Sequence, residues 1–530
     1  MALARTRAVT LDGVRGHVVE VEADIASGLP KIVLVGLPDA SLNESRDRCR
    51  AAIINSGHSW PNRRVTIGLS PASLPKSGSQ YDLAIALAVL AAAGEVPAEA
   101  IREAVLLGEL ALDGRLRAVP GVLPAVLAAA RDGCDRVMVP DVNAAEAEVI
   151  SGISVLAVRS LRHAVALLNG EEVPDDPPVP PLTMAQQVEW AGDDRLAALD
   201  LADVLGQPEA RRCAEVAAAG GHHLFLEGPP GAGKTMLVER LPGLLPDLDL
   251  EESLEVSAVH SIAGMLTPDA PLVSRPPFLD PHHTASIASI VGGGSRVIRP
   301  GAMSLAHRGV LFLDEAPQFA AHVLESLRQP LESGHICIGR AERTATFPAR
   351  FLLVLAANPC PCGLNFGRDE RCECTSAAKR RYQDRVSGPV RDRIDIYRKV
   401  QPVSRHHLDD GFADIDSSKV VAERVAMARE RQRHRYAGTP WRCNREVPGP
   451  TLRQSWPLPS SATTKLEDDL ARARISARGA DRVLRLAWTL ADLDQVGRPG
   501  REHVNEAVAL RTSGPLPLRP GTGQGTDVIG

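Results

Sequence analysis

A glycine-rich loop between an apolar run and a helix start constrains this chain more than any other feature. Residues 222–235 read HHLFLEGPPGAGKT, and the pattern G-x-x-x-x-G-K-[ST] falls on Gly228, Gly233, Lys234 and Thr235. Chance would give on the order of 0.02 such matches in a chain of this length. Because such glycines let backbone N–H groups turn inward around phosphates at a helix N-terminus, we predict a nucleotide-binding loop.

Residues of the predicted loop are expected to contact ATP and a magnesium ion. We expect the Lys234 ammonium group to reach the β- and γ-phosphates and the Thr235 hydroxyl to ligate Mg²⁺. The helix after the loop is expected over residues 236–241. The residues expected to contact the nucleotide are Gly228, Pro229, Pro230, Gly231, Ala232, Gly233, Lys234 and Thr235.

A second apolar run, farther along the chain, ends in two carboxylates. Residues 310–315 read VLFLDE. An apolar strand that ends in acids is weak evidence alone, but downstream of a P-loop it predicts the magnesium-binding and water-activating carboxylates. We expect Asp314 to hold Mg²⁺ beside the nucleotide, together with Thr235, and Glu315 to polarise the attacking water.

A third apolar run, FLLVLAAN, ends at Asn358. An asparagine at the tip of a strand beside the phosphates could orient the lytic water. It could equally cap the turn that precedes Pro359, because asparagine and proline are both frequent turn residues.

Arginines near the end of the central region and in the C-terminal helices are candidates for the γ-phosphate. A phosphoryl group in transit needs mobile positive charge, which a neighbouring subunit often supplies. We favour Arg393 as the arginine finger, the residue that supplies this charge to a neighbouring subunit, with Arg391 as second choice. Of Arg478, Arg482 and Arg485, which share one helix face, we favour Arg478 as a sensor. For any single arginine, a surface salt bridge is the alternative.

Hydrophobic periodicity and composition divide the chain into blocks. Alternating β-rich and helical runs predict an α/β N-terminal block, and three apolar runs with polar ends predict a parallel sheet at the centre. A 3.6-residue period predicts an all-helical C-terminal block. The expected blocks are 1–168, a Pro- and acid-rich linker at 169–184, a core at 185–402, helices at 403–512 and a disordered Gly- and Pro-rich tail at 513–530.

Charge and hydropathy limit the cellular setting. The longest apolar run, residues 83–93, is too short to cross a bilayer and predicts a buried helix. Residues 1–11 have no export signal, so we expect a cytoplasmic protein with no membrane partner. The net charge is −5, yet residues 376–445 hold 17 Lys and Arg against 9 Asp and Glu. This basic stretch could bind phosphates, or it could be a solvated or subunit-facing surface.

Long runs of this sequence resemble the YifB/ComM family of magnesium-chelatase-like AAA+ ATPases, and the resemblance covers residues 1 to about 512. The matching runs are GLPDASLNESRDRCRAAIINSG (36–57), FLDPHHTASIASIVGGG (278–294), PGAMSLAHRGVLFLDEAPQF (300–319), NPCPCG (358–363), SGPVRDRIDI (387–396) and SARGADRVLRLAWTLADL (476–493).

The resemblance implies a fold and a function. It implies a Lon-protease-like N-terminal α/β domain, an AAA+ core and a helical lid of the magnesium-chelatase type. It also implies a hexameric ring that acts on single-stranded or branched DNA, as a helicase that promotes branch migration during natural transformation. A closed ring fits a finger arginine, because it gives every site a neighbouring subunit. The alternative is a remodelling or chelatase-like ATPase with a protein or metal-chelate client.

The N-terminal block departs from the pattern of an active Lon-type protease, in which a lysine activates a serine. Gln80 stands where the resemblance places the serine, and Leu123 stands where it places the lysine. Lys76, Ser77 and Ser79 are nearby but out of register. Because a nucleophile without its base is not activated, we expect a scaffold or DNA-facing domain without peptidase activity.

Four cysteines form two C-x-C pairs, Cys360 with Cys362 and Cys372 with Cys374. Four thiolates so close together in a reducing compartment suit tetrahedral Zn²⁺, although C-x-x-C is the commoner spacing. Reduced structural thiols and redox chemistry are the alternatives.

Two insertions are candidates for DNA contact. Residues 282–299 are glycine-rich and include Arg296 and Arg299, and residues 338–350 suggest a hairpin with Arg340 and Arg343. In the family that the chain resembles, such insertions point into the ring channel, where arginines can follow phosphates. Because aromatic residues make up only 3% of the chain, we expect backbone electrostatics rather than base stacking. Solvated surface loops are the alternative.

Overall fold

The computed structural model of the chain describes residues 2–36, 40–76, 78–182, 195–196, 198–294, 298–340, 343–366, 371–402 and 415–516. These ranges form a seven-stranded sheet, a five-stranded sheet and a C-terminal set of helices. In this part of the chain no helix combines the length and the apolar character needed to cross a membrane.

The N-terminal block is built on the seven-stranded sheet and a small two-stranded ribbon. Its strands are β1 Ala2–Asp12, β2 Arg15–Ala26, β3 Lys31–Val35, β4 Arg64–Ser70, β5 Val105–Leu106, β6 Glu109–Leu110, β7 Leu116–Arg117, β8 Arg136–Pro140 and β9 Ser154–Val158. Its helices are α1 Ala40–Asn55, α2 Asp82–Ala93, α3 Ala98–Arg102, α4 Val122–Arg131, α5 Ala144–Glu148 and α6 Leu161–Asn169. The sheet order is β3-β4-β2-β1-β5-β8-β9, with antiparallel pairs between β4, β2 and β1 and parallel pairs elsewhere.

Sequence pattern explains the packing of this block. Along β2 the apolar residues Val19, Val21, Ala23 and Ile25 are buried and alternate with more exposed residues, as expected of a strand with one face on the core. Helix α2 is apolar on nearly every side and is buried almost throughout, as its sequence predicted.

The central block surrounds a five-stranded parallel sheet with two small ribbons beside it. Its strands are β10 Leu224–Glu227, β11 Phe278–Leu279, β12 Gly292–Gly293, β13 Arg299–Pro300, β14 Val310–Leu313, β15 His335–Arg340, β16 Arg343–Pro348, β17 Leu352–Ala357 and β18 Ile396–Lys399. Its helices are α7 Pro208–Gly220, α8 Lys234–Val238, α9 Leu250–Ala263, α10 Ile287–Val291, α11 Ala302–Leu305, α12 Ala321–Ser326, α13 Arg328–Ser333, α14 Ser376–Gln383 and α15 Gly388–Arg391.

The strand order β11-β14-β17-β10-β18 places the three predicted apolar runs side by side. Leu313 of β14 pairs with Leu355 of β17, and Glu227 of β10 pairs with Ala357. All of β17 is buried, which fits its uninterrupted apolar sequence. Because parallel strands end at the same edge of a sheet, the residues that follow β10, β14 and β17 meet there.

The C-terminal block is helical, as its periodicity predicted. Its helices are α16 Ser418–Arg435, α17 Gly449–Ser455, α18 Ser460–Ala471, α19 Ala477–Leu493 and α20 Arg501–Thr512. The side chain of Ser417 caps α16 and that of Ser476 caps α19. Buried residues of these helices share one core with α7 and one face of the central sheet, so the C-terminal helices are packed directly on the central block.

Two segments expected to be linker and tail are partly anchored. Residues 171–182 have no regular secondary structure, but Asp176 is buried and contacts Ser160 and Arg162. Residues 513–516 were assigned to a disordered tail, and this expectation is wrong for them. Leu516 is buried, and its N–H donates to Glu209 at 2.9 Å. The remainder of the predicted tail, 517–530, lies outside the described residues.

Candidate nucleotide-binding site

The glycine-rich loop connects β10 to α8, which begins at Lys234, earlier than the sequence predicted. Gly231 and Gly233 have φ values of 75° and 83°, and nothing lies within 4 Å of where a Cβ would sit on either residue. At Gly228, in contrast, a Cβ would lie 2.4 Å from the Val400 carbonyl oxygen. The loop is therefore fixed at its first glycine and open beyond it, a concave backbone with space for phosphates.

Lys234 folds back over this loop. Its Nζ donates to the carbonyl oxygens of Gly228 at 2.7 Å and Pro229 at 2.9 Å, and to Asn358 Oδ1 at 3.3 Å. The side chain of Gln207 donates to the carbonyl of Ala232 and holds the far side of the loop. The contact of Lys234 with Asn358 brings the ends of β10 and β17 to one point.

The two predicted magnesium ligands touch each other. The Thr235 hydroxyl donates to Asp314 Oδ2 at 2.8 Å, and Asp314 Oδ1 accepts the Glu315 N–H at 2.8 Å. Burial lowers the pKa of Lys234, while the charges of Asp314 and Glu315 act to raise it. A hydroxyl, two carboxylates and an ammonium group thus surround the open face of the loop.

Glu315 has an unusual backbone and an unpredicted neighbour. Its φ is 50°, in the left-handed region that residues with a Cβ seldom occupy. Its Oε2 lies 3.7 Å from Nδ1 of His283, whose ring stacks on that of His282 with centroids 4.1 Å apart. The sequence favours a structural or substrate-loop role for His283 over metal ligation, and it does not predict the contact with Glu315. No spacing rule links it to Glu315, because the two come together only through the pairing of β11 with β14.

The two arginines of the 387–396 run have different environments. Arg391 donates to the carbonyls of Gln383 and Val386 and lies over the Phe225 ring, 5.8 Å from its centroid. Arg393 is nearly buried, donates to the Pro389 carbonyl at 2.6 Å and forms an ion pair with Glu332. Within the described part of the chain, its buried Nε has no hydrogen-bond partner.

Arg393 and Arg478 line a common cavity of about 440 Å³. Four more arginines line it, and they are Arg350, Arg445, Arg482 and Arg485. Of the described residues around this cavity, none belongs to the glycine-rich loop or to the carboxylate pair. Arg478 is largely exposed and lies 3.8 Å from Asp392. The structure thus brings the two predicted arginines together, but into a cavity that does not include the loop of their own chain.

A buried carboxylate, Asp395, joins the lid to the central sheet. It accepts the His223 N–H at 2.9 Å on one oxygen and Arg482 Nη1 at 2.5 Å on the other. Burial acts to raise the pKa of Asp395, but the charge of Arg482 opposes it, and the pKa is held well below its usual range. The sequence did not single out this residue, which ties α19 to the start of β10.

The four cysteines come together at the end of β17. Their Sγ atoms all lie within 4.8 Å of one another. Cys360 is buried, whereas Cys362 is exposed. This is the grouping that a four-thiolate metal site requires.

The candidate DNA arginines lie on two short ribbons. Arg299 is exposed on β13, and Arg296 lies outside the described residues. Arg340 and Arg343 are paired at the end of the β15–β16 hairpin, which runs from 335 to 348. The turn between β1 and β2 supports this hairpin closely, because a Cβ at Gly13 would lie 2.1 Å from the Thr346 carbonyl oxygen.

Among the described residues of the N-terminal block, the two positions that the resemblance assigns to the nucleophile and its base hold Gln80 and Leu123, which can serve as neither. Gln80 donates to the Val9 carbonyl at 3.0 Å, and Leu123 is buried in the core. Ser79 donates to Glu109, and Lys76 is buried with its Nζ on the Pro71 carbonyl. Ser77 lies outside the described residues.

Three known protein families match separate parts of the chain, one in each of its three blocks. The family described as "Magnesium chelatase, subunit ChlI" matches residues 200–408, which include the glycine-rich loop and the carboxylate pair. "Subunit ChlI of Mg-chelatase" matches residues 21–143, and "Magnesium chelatase, subunit ChlI C-terminal" matches residues 415–511.

Individual relatives match over almost their whole length. An uncharacterized protein of Mycobacterium tuberculosis is 51% identical over 97% of this chain and 99% of its own. The YifB protein of Escherichia coli is 41% identical over 96% of this chain and 97% of its own, and the competence protein ComM of Haemophilus influenzae is 38% identical over 96% and 98%. The chain therefore belongs to the YifB/ComM family of magnesium-chelatase-like proteins.

Proposed function

We propose that this chain is an ATP-hydrolysing motor that works on DNA as a hexameric ring. Its cellular task would be helicase-driven branch migration in recombination, including the integration of DNA during natural transformation. The observation that carries the proposal is the meeting of Lys234, Thr235, Asp314, Glu315 and Asn358 at one edge of the parallel sheet. The proposal locates the protein in the cytoplasm, where ATP and chromosomal DNA are both present.

The open loop and its polar neighbours fit ATP and Mg²⁺. Residues 228–235 would hold the phosphates, since a Cβ is absent at the two open glycines and the space there is free. Thr235 and Asp314 would hold Mg²⁺, which neutralises phosphate charge when it is bound. Glu315 would accept a proton from the attacking water, and Asn358 would orient that water. Lys234 exchanges its carbonyl partners for phosphate oxygens.

The separation of the arginines from the loop supports a ring. Arg393 and Arg478 share a cavity whose described lining does not include their own glycine-rich loop, so a neighbouring subunit is the natural recipient of their charge. We favour Arg393 as the finger, because Arg391 is held by backbone carbonyls and by the Phe225 ring. We assign Arg478, which is largely exposed, as the sensor.

Action on DNA rests on the relatives and on the two ribbons. The name of one relative describes a competence protein, which connects the family to DNA uptake and recombination. The exposed Arg299, together with Arg296, Arg340 and Arg343, would contact the phosphate backbone. The N-terminal block, which we interpret as Lon-like and without peptidase activity, would support the hairpin through the contact at Gly13.

Subunit mixing tests the ring directly. Arg393→Ala and Lys234→Ala chains should each hydrolyse little ATP alone. A mixed ring regains activity at interfaces where an intact loop faces an intact Arg393, and native mass spectrometry should give six chains per ring. A mixture no more active than its components would contradict a finger acting between subunits.

Migration of a labelled four-way junction tests the DNA function. The native ring with ATP should convert the junction into products, and Glu315→Gln rings should bind the junction without converting it. If neither the native ring nor the Glu315→Gln ring converts the junction, and an unfolded polypeptide stimulates ATP hydrolysis by the native ring, a remodelling ATPase would be favoured instead.

A further inference from the structure

The four-cysteine cluster is the one group of three or more His, Cys, Asp and Glu ligand atoms that converges in the described part of the chain. Cys360 and Cys362 are separated by 3.3 Å between their Sγ atoms, and each lies 3.7 Å from Sγ of Cys372. Cys374 completes a set within 4.8 Å. Two chain segments on either side of residues 367–370 therefore contribute two thiols each.

These distances fit a tetrahedral metal site better than a disulfide. With Zn–S bonds of about 2.3 Å, the edges of a tetrahedron of sulfurs are about 3.8 Å. A disulfide would bring two sulfurs to about 2.05 Å, far shorter than any separation in the cluster. The backbone N–H of Asn365 also points at Cys360 Sγ, at 3.3 Å. Such N–H donors to sulfur belong to the outer shell of metal-bound thiolates.

The cluster adjoins the glycine-rich loop on the side of Asn358. Asn358, which contacts Lys234, lies two residues before Cys360. Gly363, which follows the first pair, packs on the glycine-rich loop, because a Cβ there would lie 2.7 Å from Pro230 Cδ. The first cysteine pair is therefore fixed between the tip of β17 and the loop that would hold the phosphates.

The second cysteine pair leads into α14, which returns to the same point. Thr375 caps the helix, and Lys379 Nζ donates to Asn365 Oδ1 at 2.6 Å. Burial raises the pKa of Tyr382, which lies in the last turn of this helix, while the backbone of Asn358 acts to lower that pKa. A metal ion held by both cysteine pairs would close the chain between Asn358 and α14 into a loop that begins at Asn358 and returns to it.

We propose that Cys360, Cys362, Cys372 and Cys374 bind a structural Zn²⁺ ion that fixes the position of Asn358 against the glycine-rich loop. Four protein ligands leave no open position for a substrate, so the ion acts on hydrolysis through geometry and not as a Lewis acid. The metal-binding part stands on the cluster alone, whereas its effect on hydrolysis rests on the proposed ATPase function. Iron is the other ion that four thiolates suit.

Metal analysis of the full-length protein tests the binding. Protein purified without added chelator should contain about one Zn²⁺ per chain, and Co²⁺ exchanged into it should give thiolate charge-transfer and tetrahedral d–d absorption bands. Cys372→Ser with Cys374→Ser should lose both signals. Cys337→Ser, which removes an exposed thiol outside the cluster, should keep them. Iron in place of zinc, or no metal and no Co²⁺ bands, would overturn the proposal.

The native chain gives a second measurement that does not depend on a variant folding. Titration with a mercurial reagent should modify the exposed Cys337 without releasing metal and should release Zn²⁺ in step with the modification of the four cluster thiols. In metal-free protein that keeps its helical circular dichroism, we expect ATP hydrolysis to fall by about 10- to 100-fold, since misplacement of a site by 1 Å can cost that much. Unchanged hydrolysis would overturn the role in positioning Asn358.

A control separates this inference from the proposed function. Lys234→Ala chains should keep their zinc, because Lys234 contacts no cysteine among its hydrogen bonds in the structure. Zinc bound by a native chain that hydrolyses no ATP under any condition would leave the metal site intact and reject the ATPase. ATP hydrolysis by native chains that contain no bound metal would support the ATPase and reject the metal site.

Discussion

Two lysines in this molecule, Lys76 and Lys234, are withdrawn from solvent, and their surroundings differ. Lys76 lies in the N-terminal block, fully buried, with its Nζ on the carbonyl of Pro71. Lys234 lies in the glycine-rich loop, also buried, with its Nζ on two loop carbonyls and Asn358. Burial lowers the pKa of both ammonium groups.

The difference lies in what stands next to each lysine. Asp314 and Glu315 act on Lys234 from the adjoining strand, and open space faces it where the loop glycines have no Cβ. Around Lys76, the nearby Ser79 is bonded to Glu109, and Gln80 is bonded to a backbone carbonyl. A buried lysine therefore indicates chemistry only where acids and free space accompany it.

The largest expected effect comes from removing the lysine that has those neighbours. Lys234→Ala should abolish detectable nucleotide binding and reduce hydrolysis by at least about 100-fold, the usual cost of deleting one preorganised charge from a reaction site. Fluorescent-nucleotide titration and phosphate release measure the two effects. Near-native ATP hydrolysis by the Lys234→Ala variant would show that Lys234 is no more important for hydrolysis than Lys76.

Glu315→Gln should separate binding from chemistry. A glutamine keeps the shape of the side chain but cannot take the proton from water, so hydrolysis should fall by about 10²- to 10⁴-fold while nucleotide affinity stays near native. Single-turnover phosphate release and nucleotide titration give the two numbers. A loss of affinity equal to the loss of rate would mean that Glu315 serves binding and not proton transfer.

His283→Ala should have a smaller effect with the opposite sign. The imidazole Nδ1 of His283 lies 3.7 Å from the Glu315 carboxylate. Because contacts between partly exposed polar groups are worth at most about 1 kcal/mol, we expect that freeing Glu315 from this neighbour raises basal hydrolysis without DNA about two- to fivefold. His282→Ala, which removes the stacked neighbour only, is the matched control. A lower basal rate would show that His283 assists Glu315 instead.

Lys76→Met should have the smallest effect. Methionine is an unbranched apolar side chain of similar length, and the cost of leaving the Pro71 carbonyl unpaired is about 1–3 kcal/mol, partly offset because an amine no longer has to be buried. The apparent unfolding midpoint should shift modestly, and hydrolysis should stay at the native rate. Reduced hydrolysis by a folded Lys76→Met chain would give the N-terminal block a part in the chemistry.

Much of the central architecture could be predicted from sequence. Short apolar runs that end in Gly228, Asp314 and Asn358 each became a buried parallel strand, because their side chains are apolar on both faces. The C-terminal helices were also confirmed, since their apolar period is regular. The cysteine pairs came together as their spacing suggested.

Other features depend on tertiary contacts that no local pattern encodes. Strand β1 was not predicted, because Thr6 and Thr10 interrupt its apolar character. In the fold both are buried and donate to the carbonyls of Ala84 and Pro75. The contact of His283 with Glu315 and the buried Asp395 likewise arise from strand pairing and lid docking. The division at residue 168, the Lon-like assignment and the roles of the arginines stay predictions.

The most direct test of the account is steady-state ATP hydrolysis with and without single-stranded and four-way-junction DNA, with Lys234→Ala as the blank. We expect DNA to stimulate hydrolysis and the stimulation to decline steeply with added salt, because arginines that follow phosphates compete with counterions. Hydrolysis that is abolished by Lys234→Ala but indifferent to every DNA and to salt would contradict the DNA motor.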